Sequence, residues 1–461
     1  MEKVISNIED ITLELYKDVT IGRNVIRLSE SLQRKIDERR TEFLDYVKKH
    51  RNNHLYGITT RQHVGAKKVL DDDSLKEFGS RLPAYGASLG EKLPDRLVRG
   101  IIIARLADYI NGTSGIRSKT VMNMLKMLDK DTLPKVAARG NGEPGDIIVL
   151  GALFQDEFSG QLEIGEGMAL INGSPVASAA LADVVVQYEQ YISKMEDVFS
   201  LAALAIHAPL QHFDSRLADI WNDPFISATL ANIRENLTGI DHEQMNYQAP
   251  VSFRSAPRVF GWFRRMIDQA QNLALLGLRN SSNNPAFVDA DSEHESNGIL
   301  SNGGYHHPYS APMIDALIRS VADVSQILIS VNNRVVEMPN GLLELEPEPE
   351  VSTLYHVAAG WGEEVRSLTL PSLISLANGG QTDTGTSDLL AWRKASEATE
   401  GLEAILSVLA ITSSHLITRK NEKVTARLES IYKEIMERFP LDTTHTDFND
   451  AIKSVQCYLF K

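Results

Sequence analysis

Apolar positions along this chain recur mostly with a helical period. The plainest case is 309–338, where Ile314, Leu317, Val321, Val324, Leu328, Val331 and Val335 stand alternately three and four residues apart. Such steps place side chains on one stripe of an α-helix, here of about seven turns. A stripe in so long a helix suits the seam of a bundle or coiled coil. Residues 174–207 form a second long apolar-periodic stretch, with no proline after Pro175. A third, 388–418, is rich in Ala, Leu and Glu. Residues 93–130 read as helical but break at NGTSG (111–115), and short apolar runs before residue 45 lead into a charged helical stretch. The polar, glycine-punctuated 51–68 and the acidic, proline-containing 343–350 read as loops. Strand-like alternation is confined to short stretches, and there is no internal repeat or low-complexity tract. The pattern predicts an all-α protein built as a bundle of long helices.

Composition narrows the partners. The 461 residues suffice for two or three structural units, and 43% apolar residues suffice for a large core. A net charge of −14, without a Lys/Arg block, argues against nucleic acid or an anionic membrane as the main partner. The lone cysteine, Cys457, excludes an intrachain disulfide framework and a cysteine-rich metal site. The mixed, charged N-terminal stretch has no signal-peptide core. No window approaches the ~20 consecutive apolar residues of a membrane span. A cytoplasmic protein is expected.

Polar clusters interrupt the helical background: YGITTRQH (56–63), GNGEPGD (140–146), GEGMALINGS (165–174), QAPVSFRSAPRVFG (248–261), and the run from NSSNNP (280–285) to SNGGYHHP (301–308). Taken singly, most have ordinary readings. Arg254 reads as an exposed or ion-paired arginine, Asn172-Gly173 as a turn, and Tyr56 as a core tyrosine at a loop start. His306 and His307 are neighbours in sequence, do not share a face, and no zinc-type histidine spacing occurs, so no metal is assigned. Neither a nucleophile elbow nor a phosphate-binding glycine loop is present.

Together and in order, the clusters resemble the histidine and phenylalanine ammonia-lyase family of aromatic amino-acid lyases, from about residue 50 to about 410. YGITTRQH is similar to the family's Tyr-Gly loop, GTSGIR (112–117) to its GxSGxR segment, and EGMALINGS (166–174) to its EGLALINGT stretch. QAPVSFRSAPRVFG is similar to QDxYSxRCxPQVxG, SNNP and SNGGYHH to TDNP and SGGNFHG, and GQTDTGTS (380–387) to NQEDHVS. The resemblance implies the family's long-helix bundle. Residues 1–175 would form an N-terminal domain and 176–461 the bundle with C-terminal helices. It also implies a homotetramer whose active sites are each shared among three subunits.

The departures carry the functional information. Glu143-Pro144-Gly145 stands where the family's Ala-Ser-Gly cyclises and dehydrates to an electrophilic methylidene-imidazolone. Proline has no backbone N–H and, unlike serine or cysteine, no β-leaving group. No methylidene-imidazolone, and no other cofactor, is therefore expected. Val251 replaces a second catalytic tyrosine, Tyr305 a phenylalanine, Thr382 a glutamate, and Arg61 and Gln62 a glycine and a phenylalanine; Tyr85 falls near a histidine position. Tyr56, Asn172, Gln248 and Arg254 remain.

In the family the matching tyrosine removes the substrate's β-proton and the matching arginine grips its carboxylate. The resemblance therefore implies that Tyr56, Arg254, Asn172 and Tyr305 are catalytic. Arg61, His63, Tyr85, Gln248, Asn284, Gln381 and Thr382 would bind a small-molecule substrate. Arg61 or a helix N-terminus is expected to lower the Tyr56 pKa. Without the electrophile, a primary ammonium would give up its N–H protons before its β C–H. A trimethylammonium has none and leaves as neutral trimethylamine. This is the logic of the family's ergothionase branch, which acts on the trimethylbetaine of 2-thiohistidine. Two rivals stand beside it: another elimination or addition on an aromatic amino-acid-like substrate, and a non-catalytic homologue.

Overall fold

A computed structural model describes residues 2–83, 86–158, 160–240, 243–245, 248–294, 297–347, 350–376, 382–444 and 446–460. Nine helices matter most to core and site: α1 (Glu30–Lys49), α2 (Asp95–Ala104), α3 (Leu106–Ile110), α4 (Ile147–Phe158), α5 (Glu166–Ile171), α6 (Pro175–Ala205), α7 (Val251–Arg279), α8 (Ser310–Glu337) and α9 (Asp388–Arg419). The three longest apolar-periodic stretches are thus α6, α8 and α9. All seven residues of the α8 stripe are 0% exposed.

Strands are short and peripheral to this plan. Among the described residues they form four pairs: β1 (Glu2–Ile5) parallel to β2 (Val25–Leu28), and three antiparallel pairs. These are β3 (Leu89–Lys92) with β4 (Ala137–Arg139), β5 (Ala286–Val288) with β6 (Gly298–Leu300), and β7 (Ser375–Leu376) with β8 (Thr384–Gly385).

One polar cluster is not an interruption. From Val251 onward, QAPVSFRSAPRVFG is helix, with Pro257 inside it. Phe253, Ala256, Phe260 and Phe263 are all 0% exposed along its buried face. Phe253 and Phe260 pack on Phe199 with ring centroids 5.7 and 5.4 Å away. Burying such side chains at about 1.5–3 kcal/mol each outweighs the ~3 kcal/mol an interior proline costs.

The chain forms two compact units, one of residues 1–186, 270–314 and 372–393, the other of 187–269, 315–371 and 394–461. No single cut, at residue 175 or elsewhere, separates them. Four of the five changes of unit fall inside α6, α7, α8 and α9. In the first unit, Phe43 and Val47 of α1 pack with Leu55, Ile58 and Phe287 of β5. This cluster holds the Tyr-Gly loop from both sides of Tyr56. The α5–α6 run and α9 are long and apolar enough to cross a membrane, but their apolar windows are 100% and 89% buried in the protein, as core helices are.

Candidate active site

The Tyr-Gly loop is seated by its neighbours. Leu55 and Ile58 are buried in the core cluster, which leaves Tyr56 half-buried between them. Gly57 has φ +66°, and a Cβ there would lie 2.7 Å from Met168 Cγ on α5. Only glycine permits that backbone and that approach together.

GNGEPGD makes one 3-10 turn, Pro144–Asp146, before α4 begins. Gly145 has φ +82°, and a Cβ on it would stand 2.8 Å from Asn172 Oδ1 and 3.3 Å from Tyr305 Cβ. Its carbonyl accepts from the Gly173 N–H at 3.2 Å. The two acids of the segment hold helix starts. Glu143 Oε1 accepts from the Ile148 N–H of α4 (2.9 Å), and Asp146 Oδ2 from the Val176 N–H of α6 (2.9 Å). Burial raises the pKa of both carboxyls, and Asp388 and Glu143 push Asp146 further up.

Around this turn the first unit has an open cavity of about 130 Å³. Tyr56, His63, Asn172, Asn284, Tyr305 and Thr382, six of the residues singled out in the sequence, line it. Pro144 lines it as well, with Ile147 and Ser301. The last two were not anticipated: Ile147 directly follows the turn, and Ser301 opens the SNGGYHH segment, so position alone could have suggested them. Asn172 Oδ1 is buried with no hydrogen-bond partner among the described residues. Asn284 Oδ1 accepts from the Asn302 N–H at 3.0 Å, which fixes its side chain.

The Tyr56 phenol departs from expectation. Its pKa is raised, first by burial; a hydrogen bond from the His63 backbone lowers it, and Tyr305 raises it again. Arg61 does not line the cavity, and its guanidinium lies over the Phe78 ring, 5.8 Å from the centroid. It therefore does not supply the cation expected to favour the phenolate. Five residues apart in a turning loop is no guarantee of facing one another.

Arg254 and Gln248 are not among the residues that line the cavity. Both belong to the second unit, where Gln248 is exposed and Arg254 Nε donates to the Ala249 carbonyl at 3.0 Å. Tyr85 and Gln381 lie outside the described residues. His307 is buried, its Nδ1 accepting from the Ser310 N–H at 3.2 Å at the start of α8, and burial lowers its pKa to about 4. Among the described residues no group of three or more His, Cys, Asp or Glu is placed to hold a metal ion. Glu143, Pro144 and Gly145 do not fit the family's prosthetic ring: they offer no hydroxyl or thiol to eliminate.

A helical frame brings a loop tyrosine, two asparagines and the turn that contains Pro144 to one cavity. Residues 11–156 and 159–437 match the family model described as aromatic amino acid lyase. The chain belongs to the aromatic amino acid lyase family, which places it among carbon–nitrogen lyases. It is 25% identical to histidine ammonia-lyase of Caldanaerobacter subterraneus subsp. tengcongensis over 95% of this chain and 92% of that one. Its fold matches the crystal structure of the ergothioneine-degrading ergothionase from Treponema denticola, in complex with desmethyl-ergothioneine sulfonic acid. The TM-score is 0.86 at 16% identity, over 99% of this chain and 98% of that one. Histidine ammonia-lyase from Trypanosoma cruzi matches at TM-score 0.85 and 20% identity, over 100% and 93% of the chains.

Proposed function

We propose that this protein eliminates trimethylamine from ergothioneine to give thiourocanate, without a methylidene-imidazolone. The observation that carries the reading is the Glu143-Pro144-Gly145 turn packed against Asn172 and Tyr305 beside the Tyr56 phenol. The site keeps a base and loses the parts from which an amine-activating electrophile is made. Its substrate must then bring a leaving group that departs unaided. The fold shared with the Treponema denticola ergothionase is compatible with this reading, but histidine ammonia-lyase matches as well, so the choice within the family rests on the turn.

The raised Tyr56 pKa fits a cationic substrate. A permanent positive charge next to a half-buried phenol favours its ionised form, because opposite charges attract strongly where water is scarce. The faces of Tyr56 and Tyr305 can hold the trimethylammonium by cation–π contact. Tyr56, as phenolate, takes the β-proton. The C–H electron pair becomes the Cα–Cβ double bond, and the Cα–N bond breaks with its pair leaving on trimethylamine. Asn172 and Asn284 orient the substrate, and Thr382 and His63 contact its ring. Arg254 and Gln248 grip the carboxylate from another copy of the chain in a homotetramer. The protein acts in the cytoplasm.

The test is incubation with ergothioneine and, separately, with histidine, following near-ultraviolet absorbance of the conjugated product and released trimethylamine or ammonia. Turnover of ergothioneine is expected. No product at high protein concentration, or faster turnover of histidine, overturns the proposal. The second outcome would favour the reading suggested by its histidine ammonia-lyase relatives, elimination of ammonia from a histidine-like acid.

A further inference from the structure

A buried ion pair stands behind the cavity and lines none of it. Arg105, between α2 and α3, and Asp108, on α3, have side chains 0% and 1% exposed, with Nη1 and Oδ2 3.0 Å apart. An ion pair so deeply buried recovers little net stability, because both charges have left water. The hydrogen bonds that each member makes to other segments point to another use.

Arg105 reaches the segment that carries Asn172. Its Nε donates to the Ala169 carbonyl at 2.9 Å, and its Nη2 to the Ala169 carbonyl and, at 3.0 Å, to that of Asn172. Asp108 reaches the segment that carries Asn284. Its Oδ1 accepts from the Ser282 and Asn283 N–H groups at 2.6 and 3.0 Å. Ser282 Oγ then accepts from the Ser174 N–H at 3.0 Å, tying the two segments to each other. Between them, a Cβ on Gly173 would lie 2.1 Å from Arg105 Nη1 and 2.9 Å from Ser282 Oγ, so a glycine is needed for the clamp to close.

We propose that Arg105 and Asp108 are positioning residues that set the two cavity asparagines, Asn172 and Asn284, in register with one another. The planar fork of Arg105 fixes one backbone segment, the carboxylate of Asp108 fixes the other, and their mutual charge locks the spacing. Neither touches substrate, and for its kinetic readout the inference rests on the elimination proposed above.

The test uses full-length Arg105→Lys and Ser282→Ala, read by amide hydrogen exchange and by kinetics with ergothioneine. Lysine keeps a cation beside Asp108 but replaces the fork with a compact ammonium. Ser282→Ala removes the hydroxyl that accepts from the Ser174 N–H and donates to Asp108 Oδ2 at 3.4 Å, leaves the backbone bonds to Asp108, and carries the same comparisons if the lysine variant fails to fold. Exchange is expected to rise in 169–174 and 282–284 while α8 stays protected. A misplacement of this kind is expected to lower kcat by about 10–100-fold, with a smaller change in KM. In an Asn172→Ala, Asn284→Ala background the same substitution should cost no more than about a further twofold, since its effect passes through those residues. Unchanged exchange in both segments, or a kinetic loss that multiplies in full with that of the asparagine variants, overturns the positioning role. If the unsubstituted protein does not turn over ergothioneine, the functional reading falls, and the exchange comparison alone decides the role of the pair.

Discussion

At the scale of single residues, Tyr56 makes the sharpest commitment. Tyr56→Phe removes the proposed base and should lower kcat by about 10²–10⁴-fold while leaving the melting temperature near that of the parent. Burial and Tyr305 hold its pKa above the ordinary 10.0. The ionised form is the active one, so kcat/KM, which reports the free protein, should climb with pH by about tenfold per unit from pH 7 to 9. The kcat profile should level off at lower pH, because bound cationic substrate favours the phenolate. A kcat/KM profile already flat at pH 7 would remove Tyr56 as the base. Asp388 offers a separate check on the fold. Its Oδ1 accepts from the Ala311 N–H of α8 at 3.1 Å, and burial raises its pKa to about 6. The folded chain then keeps this proton where the unfolded chain, with a value near 3.9, has lost it. Stability from this group is full below about pH 4 and is lost as pH rises through about 6. Asp388→Asn keeps an acceptor for Ala311 without the charge. It should raise the melting temperature at pH 8, by at most about 3 kcal/mol of stability, and change it little at pH 4. An equal shift at both pH values would contradict this account.

At the scale of elements, legibility followed burial. The α8 stripe could be read almost to its ends because all seven of its residues are buried and apolar, so the period shows although Asp315, Ser320, Ser325 and Asn332 of the same helix are buried too. Leu328→Ala should therefore cost about 2–5 kcal/mol, seen as a lower melting temperature, with kcat per folded molecule unchanged because α8 lines no part of the cavity. The start of α7 was hidden. Pro257, Ser252, Arg254 and Ser255 resemble a loop, and only the fully buried Phe253, Phe260 and Phe263 reveal the helix. The cavity was legible through resemblance: Tyr56, Asn172 and Asn284 sit in recognisable segments. What sequence order could not give was facing. Arg61 turned out to lie over Phe78, and the Arg105–Asp108 pair was invisible because its partners are backbone atoms, which every residue possesses.

At the scale of the whole molecule, Arg254 and Gln248 belong to a different unit from the cavity. If neighbouring copies complete each site, Tyr56→Phe and Arg254→Ala variants, each inactive alone, should recover part of the activity when unfolded together and refolded as mixed assemblies. Light scattering should report a tetramer. No recovery from a mixture shown to exchange subunits would rule out the shared site. The division into units has a consequence of another kind. Each unit is assembled from three separate stretches of chain, and four of the five changes between units fall within helices. A crossover in the coding sequence at any point between the first and last of these changes leaves at least one unit short of a part. A fragment cut within this range is likewise expected not to fold as the native unit, because the first unit is complete only at residue 393 and the second only at 461.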